Sequence, residues 1–103
     1  MAELNAGPLS ELAPGEMKLI ETEQLSVGVY NCDGELLAIE DRCSHDDGPL
    51  CLGPWDPDDC TVICPRHGAK FDIRSGNALT LPAFQAVKVF PVRVEDGTVL
   101  VDV

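Results

Sequence analysis

Two Asp-Gly dipeptides, one near each end of the chain, constrain the fold more than any other feature. Asp33-Gly34 separates the β-rich runs 24–32 and 35–40, and Asp96-Gly97 separates runs 86–95 and 98–103. Both central residues of a type I′ turn need positive φ, so Asp-Gly between such runs predicts a β-hairpin. We find no sustained helical periodicity. The sequence therefore predicts an all-β, antiparallel scaffold built from both ends of the chain.

The middle of the chain differs in composition. Residues 41–82 are rich in Gly, Pro and Asp, with short strands expected at 61–64 and 69–73. Pro91 should mark an edge or a bulge, because proline cannot donate to a strand ladder. We expect one domain of 103 residues, with a basal part at 1–40 and 83–103 and a loop-rich part at 41–82.

The loop-rich part carries both histidines of the chain, each just after a cysteine. The pairs are Cys43-x-His45 and Cys64-x-x-His67, which together supply two thiolates and two imidazoles. A closed tetrahedral zinc site could use this set. A [2Fe–2S] cluster in which two histidines replace two cysteines on one iron could use it too. One Cys and one His from each segment favours the binuclear cluster, although a single zinc ion could accept the same arrangement.

Charge and hydropathy exclude several classes of partner. The net charge is −11, from 18 acidic and 7 basic residues, which argues against nucleic acid and anionic membranes as partners. The N-terminus carries no basic n-region, and no window approaches the roughly 20 apolar residues of a membrane span. These features predict a cytoplasmic protein. In that reducing compartment, cysteines are more often ligands or free thiols than bridges.

The cysteines outside the two pairs are Cys32, Cys51 and Cys60. Cys32 is expected to be a buried, small apolar side chain. Cys51 and Cys60 are expected to be free thiols, with a bridge between them as the alternative. Trp55 is expected to pack over the long loop.

The segments "CSH" (43–45) and "CPRHGAKFDIRSGNAL" (64–79), followed by Leu81-Pro82-Ala83, resemble the two cluster-binding boxes and the proline loop of the Rieske family. The resemblance implies a Rieske fold, with an antiparallel β-sandwich basal domain and a cluster-binding subdomain. It also implies one [2Fe–2S] cluster per chain. Cys43 and Cys64 would hold the inner iron, and His45 and His67 the outer iron.

The chain departs from the high-potential members of that family at four positions. Gly48 and Arg66 occupy the positions of a disulfide between the loops, Ala69 that of a serine and Phe71 that of a tyrosine. Hydrogen bonds from those hydroxyls to sulfur stabilise a reduced cluster, so their loss lowers the potential. We expect a potential at the low end of the Rieske range, near ~−150 mV.

No histidine remains for a mononuclear iron site, and no Gly-rich dinucleotide fingerprint is present. The chain is therefore expected to be an electron carrier and not an enzyme. It is similar to the ferredoxin components of bacterial aromatic-ring-hydroxylating dioxygenase systems of the biphenyl type. The resemblance implies a monomer that takes electrons from a flavoprotein reductase and passes them to a terminal oxygenase. An apolar ring around the exit histidines is expected from Pro49, Leu50, Pro65 and Pro82.

Two alternatives remain open from the sequence. One is the small Rieske subunit of an assimilatory nitrite reductase, which would stay bound to a large enzyme. The other is a structural zinc module that binds other proteins. Gel filtration distinguishes the first alternative from a free carrier, and metal analysis identifies the second.

Overall fold

A computed structural model describes residues 3–23, 25–42, 49–65, 68–81 and 85–103. Over these residues, ten strands form three antiparallel sheets. The strands are β1 (Glu3–Pro8), β2 (Met17–Glu21), β3 (Ser26–Cys32), β4 (Glu35–Glu40), β5 (Trp55–Asp56), β6 (Thr61–Ile63), β7 (Lys70–Asp72), β8 (Val89–Phe90), β9 (Val92–Glu95) and β10 (Thr98–Asp102). A single 3-10 turn, Leu9–Glu11, follows β1. The all-β class predicted from the sequence is confirmed.

The three sheets have simple strand orders. The first sheet is β1-β10-β9, the second is β2-β3-β4-β8, and the third is β5-β6-β7. None of the helical segments in the described ranges has the length and apolar character needed to cross a bilayer.

Both predicted hairpins form with the expected turn geometry. Asp33 and Gly34 have φ values of 56° and 98°, and Asp96 and Gly97 have φ values of 51° and 76°. Positive φ at both central positions matches the right-handed twist of the strands that each turn joins. The hairpins β3–β4 and β9–β10 therefore follow directly from local sequence chemistry.

Pro91 lies where the chain passes from one sheet to another. β8, just before it, pairs with β4 of the second sheet, while β9, just after it, pairs with β10 of the first sheet. Proline has no N–H group, so it suits a residue between two ladders. The predicted single strand over 86–95 is thus two short strands in different sheets.

The strand β1 had no counterpart in the sequence prediction. It pairs with β10, with Glu3 opposite Asp102 and Asn5 opposite Leu100. Its sequence ends in Gly7-Pro8, and Gly7 has a φ of 88°, which hides the alternation that usually marks a strand. Tertiary pairing with β10, and not local propensity, makes this segment a strand.

The second sheet lies between two hydrophobic cores. Val27 and Val29 of β3 pack with residues of the first sheet, such as Val99. Tyr30, on the opposite face of β3, packs with Phe71 of the third sheet. Successive strand residues point to opposite faces, so the odd and even positions of β3 enter different cores. This explains why six consecutive residues of β3, from Val27 to Cys32, are buried.

Candidate metal centre

Cys64 is the one predicted ligand that lies within the described residues. Cys43, His45 and His67 fall outside them, and so does Pro82, which was expected to form part of the apolar ring. Cys64 directly follows β6, is buried, and is a free thiol. The assignment of the four ligands therefore remains a prediction.

The turn that begins at Cys64 is closed by main-chain hydrogen bonds. The Cys64 N–H donates to the Ala69 carbonyl over 2.8 Å, and the Gly68 N–H donates to the Cys64 carbonyl over 2.9 Å. Gly68 has a φ of 74°, a conformation that glycine adopts without steric cost. The β6–β7 pairing, with Ile63 opposite Lys70, fixes the base of this turn. The Cys64 backbone is thus held rigidly at one end of the third sheet.

The side chains next to this turn are apolar. Ala69 and Phe71 are both buried, and neither carries a hydroxyl group. A serine or tyrosine at these positions could donate a hydrogen bond to a sulfur atom, whereas Ala69 and Phe71 cannot. Residues 69 and 71 therefore offer no hydroxyl donor, and the low reduction potential remains a prediction.

A carboxylate joins the residues on either side of the first Cys/His pair. One oxygen of Asp41, Oδ1, accepts hydrogen bonds from the N–H groups of Leu50 and Cys51, over 2.8 and 2.7 Å.

The Tyr30 hydroxyl donates to the Cys51 carbonyl over 3.4 Å. The Tyr30 ring also meets Trp55 edge-on, with ring centroids 4.8 Å apart. Trp55 is partly buried against the core, so its predicted packing role is confirmed.

Cys51 is a buried free thiol. Burial raises its pKa from 9.0 to about 12, and the nearby Asp41 carboxylate adds to the rise. Burial likewise raises the pKa of the Tyr30 hydroxyl. Cys51 sits against Gly28 so closely that a Cβ added to Gly28 would lie 2.8 Å from the Cys51 Cβ. The Cys51 thiol and the Tyr30 hydroxyl are therefore uncharged at physiological pH and contribute to packing.

The structure corrects the predicted state of two cysteines. Cys32 and Cys60 form a disulfide, with their Cα atoms 5.6 Å apart. The predicted free thiol at Cys60 is therefore wrong, and so is the alternative bridge between Cys51 and Cys60. Cys32 is buried as predicted, but it is bridged. Cys32 ends β3 and Cys60 precedes β6, so two different sheets must pack before these residues meet. Sequence spacing does not show such a contact.

The predicted apolar ring also needs one correction. Leu50 is completely buried and contributes to the core, so it cannot form part of an exposed ring. Pro49 and Pro65 are exposed as predicted. Three leucines that the sequence argument did not single out are more exposed: Leu52 at 69 %, Leu79 at 52 % and Leu81 at 79 %. The sequence signal that could have identified them is their position near the predicted ligand segments.

The described residues contain no group of three or more side chains arranged to hold a metal ion. That result is expected, because only one of the four predicted ligands is among them. Cys64 does meet the requirements for a ligand: it is a free thiol, shielded from solvent and fixed by its own main chain. Thiolates are the ligands that iron–sulfur clusters use. The residue present thus fits the proposed group.

Comparisons with known proteins identify related proteins. Residues 3–91 match the family model for the Rieske [2Fe–2S] domain. The 3-phenylpropionate/cinnamic acid dioxygenase ferredoxin subunit of Shigella flexneri serotype 5b (strain 8401) is 38 % identical over 102 residues, covering 99 % of this chain and 94 % of that protein.

Solved structures show the same similarity. The ferredoxin of carbazole 1,9a-dioxygenase from Nocardioides aromaticivorans IC177 has a TM-score of 0.88 at 27 % identity, covering 98 % of this chain and 97 % of that chain. A structure described as a complex of reduced oxygenase and oxidized ferredoxin in carbazole 1,9a-dioxygenase also gives a TM-score of 0.88. Its identity is 29 %, with 96 % of this chain and 91 % of that chain covered.

Proposed function

This chain belongs to the Rieske [2Fe–2S] family, and from that premise we propose that it is the low-potential ferredoxin of an aromatic-ring dioxygenase system. It would take single electrons from a flavoprotein reductase and deliver them to a terminal oxygenase. The proposal extends to this chain what the names of its relatives say of them.

The ligand set of the proposed cluster is Cys43, His45, Cys64 and His67. When bound, the [2Fe–2S] cluster supplies a site that gains and loses one electron. The observation that carries the proposal is the state of Cys64, a buried and free thiol held at the end of the β6–β7 hairpin. Neutral imidazoles on one iron leave the cluster less negative than four thiolates would, which raises its potential above that of all-cysteine clusters.

The side chains near Cys64 support the expectation of a low reduction potential. Ala69 and Phe71 supply no hydroxyl group beside it. Donors to sulfur stabilise the reduced state, so their lack supports a value near ~−150 mV. Such a value suits transfer from a reduced flavin to an oxygenase.

We propose that the oxygenase docks on the leucines that flank the β6–β7 hairpin. Leu52 precedes Gly53, whose Cα faces the Ile63 carbonyl and Pro65 on one side of the hairpin. Leu79 lies on the other side, where its N–H donates to the Lys70 carbonyl over 2.7 Å, and Leu81 follows two residues later. Exposed apolar groups beside a redox site favour close contact with a partner.

The remaining parts of the proposal concern assembly and location. A complex between a similar ferredoxin and its oxygenase supports the terminal oxygenase as the acceptor. The reductase, the monomeric state and the cytoplasmic location stay predictions from the sequence. Relatives named as ferredoxin subunits support a carrier without catalytic residues of its own.

Visible absorption and low-temperature EPR, before and after dithionite, test the cluster. We expect a red-brown protein whose reduced form gives an EPR signal with average g near ~1.9, typical of a His-ligated cluster. Equal amounts of iron and acid-labile sulfide should accompany the signal. A colourless protein that contains zinc would refute the proposal and favour the structural zinc module.

Stopped-flow reduction of a terminal oxygenase by the reduced protein tests the docking surface. Leu81→Asp should slow the transfer strongly, because it places a charge in the apolar contact. Val94→Asp is the matched control, since Val94 lies on β9 of the first sheet and is 42 % exposed. Equal rates for the two variants would contradict the proposed surface.

A further inference from the structure

We infer that Asp41 is a positioning residue, whose carboxylate closes the base of the segment that carries Cys43 and His45. This inference rests on the proposed function, because it assigns those two residues to the cluster. The carboxylate accepts hydrogen bonds from the N–H groups of Leu50 and Cys51. It acts on the residues at which the segment ends.

The inference rests on one carboxylate oxygen of Asp41, at the start of the segment, that is hydrogen-bonded to residues 50 and 51 at its end. Oδ1 of Asp41 accepts from the N–H groups of Leu50 and Cys51, which follow it by 9 and 10 residues. The N–H of Asp41 itself donates to the Ser26 carbonyl over 2.8 Å, which anchors it to the first residue of β3. The entry and the exit of the segment are therefore tied to the same point of the second sheet.

The exit of the segment is held from its other sides as well. The Cys51 carbonyl accepts from Tyr30, and the Cys51 side chain fills the space left above Gly28. Leu50 and Cys51 are both buried. Removing the carboxylate would take away the acceptor of two N–H groups that belong to buried residues, and a buried donor left without an acceptor is costly. Hydrogen bonds to a charged oxygen are also roughly twice as strong as neutral ones.

The two ligand segments are thus closed by different means. The segment that begins at Cys64 is closed by main-chain hydrogen bonds to Ala69 and from Gly68. The segment after Asp41 is longer, and in the described residues its two ends are joined through the Asp41 side chain. A substitution at residue 41 can therefore loosen one ligand segment and leave the other unchanged.

The test compares Asp41→Ala and Asp41→Asn with a matched control, Asp56→Ala, in the intact protein. Asp56 uses the same chemistry, because its Oδ1 accepts from the N–H groups of Asp58 and Asp59 over 2.9 and 3.3 Å. It pairs with Thr61, at the end of the third sheet opposite to Cys64. The measurements are the rate at which an iron chelator bleaches the visible absorption, the EPR spectrum of the reduced protein, and the reduction potential.

We expect Asp41→Ala to lose the cluster on the order of tenfold faster than the wild type, because two hydrogen bonds to a charged oxygen are lost. Its EPR lines should broaden, and its potential should shift to more positive values, because a nearby negative charge is removed. Asp41→Asn keeps an oxygen of the same reach, so it should partly rescue the bleaching rate, to about threefold. Asp56→Ala should stay within about twofold of the wild type and keep its EPR spectrum.

The results separate this inference from the proposed function. A wild-type protein without the cluster signal refutes both. A wild-type signal together with equal bleaching and equal EPR spectra in Asp41→Ala and Asp56→Ala refutes only the role of Asp41. Should Asp41→Ala fail to fold, Asp41→Asn decides: a bleaching rate and a potential equal to those of the wild type would overturn the inference.

Discussion

The disulfide between Cys32 and Cys60 makes a prediction whose size can be worked from the structure. The bridge joins residues 28 apart in sequence, from the end of the second sheet to the start of β6. In the chain-entropy description, closing a loop of this length stabilises the folded state by about 3.6 kcal/mol, mainly by restricting the unfolded chain. A domain of this size changes its unfolding midpoint by roughly 4–8 °C per kcal/mol.

The perturbation is the double variant Cys32→Ala/Cys60→Ala. Both sulfurs lie within the core, so alanine is preferred to serine, which would bury two hydroxyl groups there. The thermal unfolding midpoint of the double variant should fall on the order of 15–25 °C. It is followed by circular dichroism and by loss of visible absorption at a fixed scan rate. Cys51→Ala is the control, because it removes a buried sulfur that is not bridged and so measures the packing loss alone.

Two outcomes would refute this reasoning. One is a midpoint for the double variant that falls no further than twice the change seen in Cys51→Ala. The other comes from mass spectrometry of the wild type after alkylation in denaturant with an iron chelator. A bridged protein takes up three labels, since only three of its five cysteines are free to react, and an unbridged one takes up five. Burial of both sulfurs limits the access of cellular reductants, so we expect three.

Three further predictions concern the potential and the pH dependence. Ala69→Ser should raise the reduction potential by tens of millivolts, because it adds a hydroxyl donor next to Cys64; an unchanged value in protein-film voltammetry would contradict that account. His67→Cys should keep some cluster but lower the potential, because it adds a negative charge, and an unaltered potential would count against His67 as a ligand. The contribution of Cys51 to the free energy of unfolding should fall by about 1.4 kcal/mol per pH unit as the pH rises from about 9 toward 12. In this range the thiol ionises in the unfolded chain, where its pKa is about 9, but stays protonated in the folded chain, where burial raises its pKa to about 12. Comparing midpoints of wild type and Cys51→Ala from pH 8 to 10.5 checks this, and identical slopes would show that Cys51 carries none of the effect.

The hairpins were predictable because their cause is local. A turn at Asp33-Gly34 needs positive φ at two adjacent residues, and those residues supply it without help from distant contacts. The family was recognisable for a related reason, since Cys43, His45, Cys64 and His67 lie in two short segments. The strand β1 was missed because the strand it pairs with, β10, lies at the far end of the chain.

Residue roles that depend on packing were predicted less well. Leu50 was expected at the surface beside Pro49, yet it is buried in the core that contains Tyr30 and Phe71. Nothing in its neighbours indicates which of two adjacent apolar residues points inward, because the loop has no regular period. Asp41 gave no signal either, since its partners lie 9 and 10 residues away.

The β class, the two hairpins and the Cys/His pairs by which the family was recognised could all be predicted from the sequence. These features depend on residues that are close together in the chain, so short motifs encode them. Packing in three dimensions brings Cys32 to Cys60, keeps Cys51 a buried thiol, and brings the N–H groups of Leu50 and Cys51 to the Asp41 carboxylate. Each of these depends on how the second and third sheets, or the ends of a long loop, come together. Contacts of that kind are set by packing in three dimensions, which no local pattern of residues records.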